Sequence, residues 1–179
     1  MVVTRLRNIF IGIGLLMLAV FLLSLFFERT YLVKREVTIA VAPAKVFPLI
    51  NTPALWDEWM SWGAPDSSYT YIFMGPPSGR FAKKIMKGPQ VDIVFKIIQS
   101  RKDTAIRYEI STADVEFTTD GDIVLSPVPN GTLVSWIDSG DVGYNVFARF
   151  SLKGIQQRIS DDMDQSLLRL KSVAEQARW

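Results

Sequence analysis

Residues 33–62 read VKREVTIAVAPAKVFPLINTPALWDEWMSW, and the order of patterns within them decides the kind of domain. Lys34 to Val41 alternates polar and apolar residues, the period-two signature of a strand with one buried face. Ala42-Pro43 then opens a short helix over residues 44–51, where Val46, Phe47 and Ile50 share one side. Thr52-Pro53 repeats the start signal, since threonine can cap and proline suits a first helical turn. This predicts a second helix running through Trp56 and Trp59 toward Trp62, stopped by Gly63-Ala64-Pro65. On an α-helix successive indoles in that series stand about 60° apart and make a broad aromatic face.

Three of the five tryptophans thus fall within the seven positions of WDEWMSW. They suit a stacking platform for nucleic acid, a foot in the membrane interface, a wall of an apolar pocket, or ordinary core. Charge argues against the first. The net charge of +2 sits in residues 1–30, where Arg5, Arg7 and Arg29 face only Glu28. Taking these from totals of 20 Lys+Arg and 18 Asp+Glu leaves 17 of each for residues 31–179. A balanced domain without a basic run lacks the surface that neutralises phosphates, so no nucleic-acid partner is expected.

The chain has no cysteine and no histidine. Disulfides, thiolate chemistry, histidine-based zinc sites and Ser-His or Cys-His catalysis are excluded. Carboxylate metal sites and carboxylate acid–base pairs stay open, but no metal site or cofactor is read from the sequence. Asp92, Glu109 and Glu116 fall on polar strand faces, Tyr108 and Asp138 are further candidates, and no acid–base constellation emerges. No catalytic residue is assigned.

Ile9 to Phe27 is a run of nineteen uncharged residues. As a helix it spans roughly 28 Å, close to the hydrocarbon thickness of a bilayer. A signal peptide is the rival reading, yet Phe26-Phe27-Glu28-Arg29 offers no small-residue cleavage site. The expected organisation is a basic N-terminus at 1–8, a single transmembrane helix at 9–27, a linker at 28–32 and one domain at 33–179. Arg5 and Arg7 before the span favour a cytoplasmic N-terminus, although Arg29, Lys34 and Arg35 after it nearly balance them. In a bacterium the domain would then face the periplasm from the inner membrane.

Beyond Trp62 the sequence reads as a run of strands: 68–74, 80–86, 90–100, 105–111, 115–128 and 132–140. GPPSG at 75–79 and PNG at 129–131 are turns, and Asp120-Gly121 carries a further turn signal. From about Asn145 the pattern becomes one long helix, with Ile155, Ile159, Met163, Leu167, Leu170 and Val173 as its apolar stripe. Asp161, Asp162 and Asp164 read as a solvated face beside that stripe.

This order resembles the helix-grip fold of the START-like SRPBCC superfamily, in particular its polyketide cyclase/dehydrase-like branch and the membrane-anchored members with one N-terminal helix. The resemblance covers roughly residues 33–177. It is carried by residues 33–62, the GPPSG turn, NGTLVSW (130–136) and LLRLKSVAEQ (167–176). Many relatives carry a tryptophan and small residues where this chain has RFAKKIMKG (80–88), which is a departure. The resemblance implies an α+β fold, with a curved antiparallel sheet of about seven strands wrapped on a long C-terminal helix. It also implies an internal cavity for a lipid-like or polyketide-like molecule.

Strand parity selects Trp59, Trp62, Phe81, Ile93, Phe95, Tyr108, Phe117, Trp136, Phe147, Ile155 and Ile159 as its lining, with core packing as the alternative for each. Trp59 and Trp62 are the pair expected to touch a ligand. If Phe81 and Ile85 face inward, Lys83 goes with them, either to meet an anionic headgroup or to snorkel out. The expected function is a membrane-anchored, non-enzymatic binding module for a hydrophobic small molecule. The alternatives are a docking subunit of a larger membrane protein complex and a cyclase/dehydrase-type enzyme.

Overall fold

The structure is a computed structural model and describes residues 2–61, 69–89, 91–112 and 118–177, with side chains from Thr4 onward. Helix α1 (Val2–Ser24) is followed by β1 (Thr30–Ile39), α2 (Pro43–Asn51) and a 3-10 turn at Pro53–Glu58. Six more strands follow: β2 (Thr70–Met74), β3 (Lys83–Lys87), β4 (Asp92–Arg101), β5 (Ala105–Thr112), β6 (Thr118–Val128) and β7 (Gly131–Asp141). Helix α3 (Val146–Gln176) closes the described chain. The strands form one antiparallel sheet in the order β1-β7-β6-β5-β4-β3-β2. This is an α+β helix-grip fold, with α3 lying against β1 and the concave side of the sheet.

Side-chain bonds fix the direction of α3. Gln156 donates to the Leu32 carbonyl at 3.3 Å, Arg35 to Asp164 at 3.0 Å, and Glu175 accepts from the Ala40 amide at 2.8 Å. The helix therefore runs the same way as β1, and its first turns sit at the Thr30 end of the sheet. Register carries that end across the strands. Thr30 pairs with Asp141, Thr119 with Gly140, Ser111 with Thr118, Ile93 with Thr112, and Lys87 with Asp92. Helix α1 leaves from this same end.

The tryptophan cluster has a specific structural task. The last carbonyls of α2 have no partner within their helix. The Trp56 indole donates to the Ile50 carbonyl at 2.8 Å, the Trp59 indole to Leu49 at 3.1 Å, and the Gly79 amide to Asn51 at 2.8 Å. The expected second helix is instead the six-residue 3-10 turn, in which residues three apart eclipse. Trp56 lies in that turn and Trp59 follows it as the cap, and both indoles reach the end of α2. Trp56 then packs edge-on against Phe95 and Tyr108, and Trp59 against Trp136, with ring centres 5.7–5.8 Å apart.

Two strand readings are corrected. β6 runs straight through Asp120-Gly121, because Gly121 pairs with Tyr108 and any Cβ there would overlap the Tyr108 ring. In β3 the faces are the reverse of those expected. Phe81 lies at φ 72° and is half exposed, which interrupts the alternation before the strand begins. Lys84 and Met86 consequently point inward, while Lys83 and Ile85 lie on the other face, partly exposed.

Lys84 is 3% exposed, reaches the Asp57 carboxylate, and stands 4.7 Å from the Tyr71 ring centre. The pair ties β3 to the 3-10 turn that carries the tryptophans. Asp57→Ala strands the Lys84 ammonium and is expected to cost about 2–3 kcal/mol in urea unfolding. The double variant Asp57→Ala/Lys84→Met should recover most of that loss. Equal losses in the single and double variants would show that a stranded Lys84 ammonium is not the source of the cost.

Candidate functional site

Two tyrosines on different strands converge on one buried acid. The Tyr31 hydroxyl of β1 donates to Asp138 Oδ1 at 2.8 Å, and the Tyr108 hydroxyl of β5 to Oδ2 at 3.3 Å. The Trp136 indole donates in turn to the Tyr108 oxygen at 2.8 Å. Glycines make room for both phenols. Tyr108 lies over Gly121, and Tyr31 lies over its strand partner Gly140, where an added Cβ would come within 2.6 Å of the ring. Trp136 and Asp138 are two apart on β7, so the pleat turns both to the concave face.

Beside this cluster is a cavity of about 320 Å³ between the sheet and α3. Its lining includes Tyr31, Ile93, Ile110, Thr112, Thr119, Trp136 and Asp138 from the sheet, and Ile155, Ile159, Asp162 and Met163 from α3. Most of that wall is hydrocarbon, as small-molecule sites require. A wider hollow of about 660 Å³ lies between α2 and the β4–β5 turn. It is a surface trough edged by Asn51, Ser100, Lys102 and Asp103, remote from the buried acid, and offers less enclosure.

Of the residues expected from strand parity, Ile93, Trp136, Ile155 and Ile159 come together on the cavity wall. Trp59, Phe95 and Tyr108 are fully buried in the core behind it, and Tyr108 reaches the cavity through Asp138. Phe81 and Phe147 stand in solvent, 50% and 85% exposed, because one precedes β3 and the other lies on the outer side of α3's first turn. Lys83 is on the opposite strand face from buried Lys84. Trp62 and Phe117 lie outside the described residues. Tyr31, Ile110, Thr112, Thr119, Asp138, Asp162 and Met163 also line the cavity, outside the set that strand parity selects. Parity with Trp136 was the available signal for Asp138; Tyr31 sat inside the segment read as linker.

Burial pushes the Asp138 carboxyl up to about 6, with the Asp120 charge adding to it and the two tyrosine hydrogen bonds opposing. Burial first, and the Asp138 charge second, push both Tyr31 and Tyr108 upward. Thr119 is buried near the Tyr31 phenol and offsets part of that shift, yet its oxygen makes no hydrogen bond of ordinary geometry. Asp162 is also raised, by partial burial and then by Asp161, with the Ser61 hydroxyl opposing. Ser61 itself bonds the Asp162 carbonyl at 2.9 Å and the Ser166 hydroxyl at 2.8 Å, locking the tryptophan segment to α3. No group of three or more Asp or Glu suited to a metal occurs among the described residues.

The sequence profile of the family described as "Polyketide cyclase / dehydrase and lipid transport" matches residues 31–175. The chain belongs to that family. Solved structures share the fold at low identity. Protein MLL2253 from Mesorhizobium loti superposes with a TM-score of 0.60 at 15% identity, covering 84% of this chain and all (100%) of its own. Protein CV1439 from Chromobacterium violaceum gives 0.59 at 14% identity, covering 82% of this chain and 98% of its own. The Aha1 dimer from Colwellia psychrerythraea gives 0.59 at 15% identity, covering 83% and 99%. No curated protein matches the chain. The family and these neighbours establish the START-like architecture.

A raised carboxyl in the folded state has a definite consequence for stability. Between the ordinary value of 3.8 and about 6, native Asp138 keeps a proton that the unfolded chain releases. Its contribution is therefore full below pH 4 and lost as pH rises through 6. Relative to Asp138→Asn, wild-type stability should decline by about 2 kcal/mol between pH 4 and pH 7, followed by urea melts. A pH-independent difference between the two proteins would contradict this assignment.

Proposed function

We propose that this member of the family is a membrane-anchored binding protein that holds a hydrophobic small molecule between its sheet and α3. One observation carries the reading: the apolar-walled cavity lies at the end of the grip from which the apolar helix α1 departs. Tyr31 and Thr119 open their strands there, Thr112 ends β5, and Ile155 and Ile159 lie in the first half of α3. The lipid-transport part of the family description agrees with such a cargo.

Thr4–Ser24 is 21 residues long, is exposed along its length up to the buried Ser24, and as a helix covers roughly 32 Å. Its C-terminal end is docked on the domain. Arg149 donates to the Ser24 carbonyl at 3.2 Å and the Gly143 carbonyl at 2.7 Å, and the Phe27 and Phe150 rings meet edge-on at 4.7 Å. Phe26, Tyr144 and Phe147 stand exposed beside that junction, an aromatic group suited to a membrane interface. The foot once open to the WDEW tryptophans belongs on this reading to these residues. We take α1 as an uncleaved anchor with a cytoplasmic N-terminus.

Asp138 favours a second reading, an enzyme of the cyclase/dehydrase type with this acid as proton carrier. Its partners are tyrosines whose own protons are held more tightly, and the described lining holds no lysine or arginine to pair with it. Binding is the better-supported role.

Full-length protein extracted mildly and examined by native mass spectrometry should carry a co-purified apolar molecule. Ile159→Trp, which fills the cavity, should lower that occupancy about tenfold while the protein stays folded. Empty wild-type protein from several extractions would sink the binding reading. The absence of cysteine allows unique labelling. Nitroxides at Phe147→Cys and Leu16→Cys in nanodiscs should report interfacial and deep positions, with Lys102→Cys in bulk water. A water-exposed label at position 16 would refute the anchor.

A further inference from the structure

Resting on that cavity reading, we infer that the bound molecule presents a hydrogen-bond-donating head group, an alcohol or an ammonium, and that anionic lipids such as fatty carboxylates are turned away. The charged side chains in the described lining are Asp138 and Asp162, and no lysine or arginine accompanies them. The buried basic side chains, Lys84 and Arg149, are engaged elsewhere, as is Arg35 on β1, while Lys153 and Arg158, beside Ile155 and Ile159 in the chain, are exposed on α3. Lys84 holds Asp57, Arg35 holds Asp164 and Ser160, and Arg149 holds Ser24 and Gly143. An anionic headgroup entering this space would meet the buried Asp138 and the half-buried Asp162 with no compensating charge among the described lining residues.

The acceptors, by contrast, have capacity left. A carboxylate offers about four lone-pair sites. Asp138 receives one phenol on each oxygen, which leaves about half of that capacity open. Thr119, also in the lining and 5% exposed, has an oxygen without a hydrogen bond. A buried polar atom left unmatched is costly, and an alcohol on the cargo could match this hydroxyl in either direction while donating to Asp138. The polar end of the cavity is therefore built to accept hydrogen bonds, while the isoleucines, Met163 and Trp136 enclose an apolar tail. This inverts the expectation attached to Lys83, which stands on the other face of β3.

The test uses the full chain in nanodiscs at pH 7.5 with three ten-carbon probes: 1-decanol, decylamine and sodium decanoate. The indole N–H signal of Trp136, which lines the cavity and donates to Tyr108, reports occupancy by two-dimensional nitrogen–proton NMR. Ile159→Trp serves as the blank for partition into lipid. Saturable shifts with 1-decanol and decylamine are expected at concentrations about tenfold below any shift with decanoate. A tighter hold on decylamine than on 1-decanol assigns the donor as cationic; the reverse order assigns it as neutral.

Asp138→Asn and, separately, Asp162→Asn should narrow the gap between decanol and decanoate to about threefold or less. The spectrum of each variant checks its fold, and the second keeps the test alive if the first unfolds. Decanoate binding as well as decanol would overturn the inference while leaving the cavity reading intact. Failure of all three probes to shift Trp136 would overturn both.

Discussion

A carboxyl group withdrawn from water has to be solvated by the protein, and much of this fold is arranged around meeting that need for Asp138. The acid lies on β7, one donor comes from β1 on its flank, and the other from β5 two strands away. Each phenol reaches it only because a glycine stands beneath its ring, Gly140 under Tyr31 and Gly121 under Tyr108. The Trp136 indole completes the chain of donors, and its ring supports Trp59. One buried charge thus fixes side-chain identities on β1, β5, β6 and β7. It also leaves a polar end on an otherwise hydrocarbon cavity, so the constraint on folding and the capacity for recognition are the same group.

A second set of unmet backbone groups organises the other end of the sheet. The short helix α2 ends with carbonyls that its own turns cannot satisfy, and distant donors supply the bonds. Two of the donors are indoles, which satisfy the carbonyls and fill the core in one move. Lys84 and Asp57 then clamp the segment to β3, and Ser61 clamps it to α3 near Asp162. The cavity wall on the helix side is held in place through this arrangement. The proposed binding function depends on both ends, because the rear of the cavity wall is the tryptophan cluster.

Alternation and turn chemistry made the strands legible, since a pleat with one buried face writes itself as period two. The same rule identified Ile93 and Trp136, and helical spacing identified Ile155 and Ile159. It failed where backbone conformation interrupts the count. Phe81 with its positive φ reverses the faces of β3, so the lysine that turns inward is Lys84. Gly121 read as a turn because glycine usually signals one, whereas here it is a seat for an aromatic ring. Asp138 shares that parity and stands among the candidate acids, but parity alone does not place it in the cavity, because an acid on an apolar strand face is unfavourable unless partners from other strands solvate it.

By itself the sequence determined the grip, the order of its elements, the apolar N-terminal helix and the exclusion of histidine and cysteine chemistry. These follow from local periodicity, composition and chain order, which each segment declares without its neighbours. Only the tertiary structure decided that two tyrosines and an acid meet, that the lining carries negative rather than positive charge, and that the cavity shares an end with α1. Those facts depend on strand register and on residues as far apart as Tyr31 and Asp138, 107 positions along the chain. No local pattern encodes such a meeting, because its energy exists only after the strands have paired.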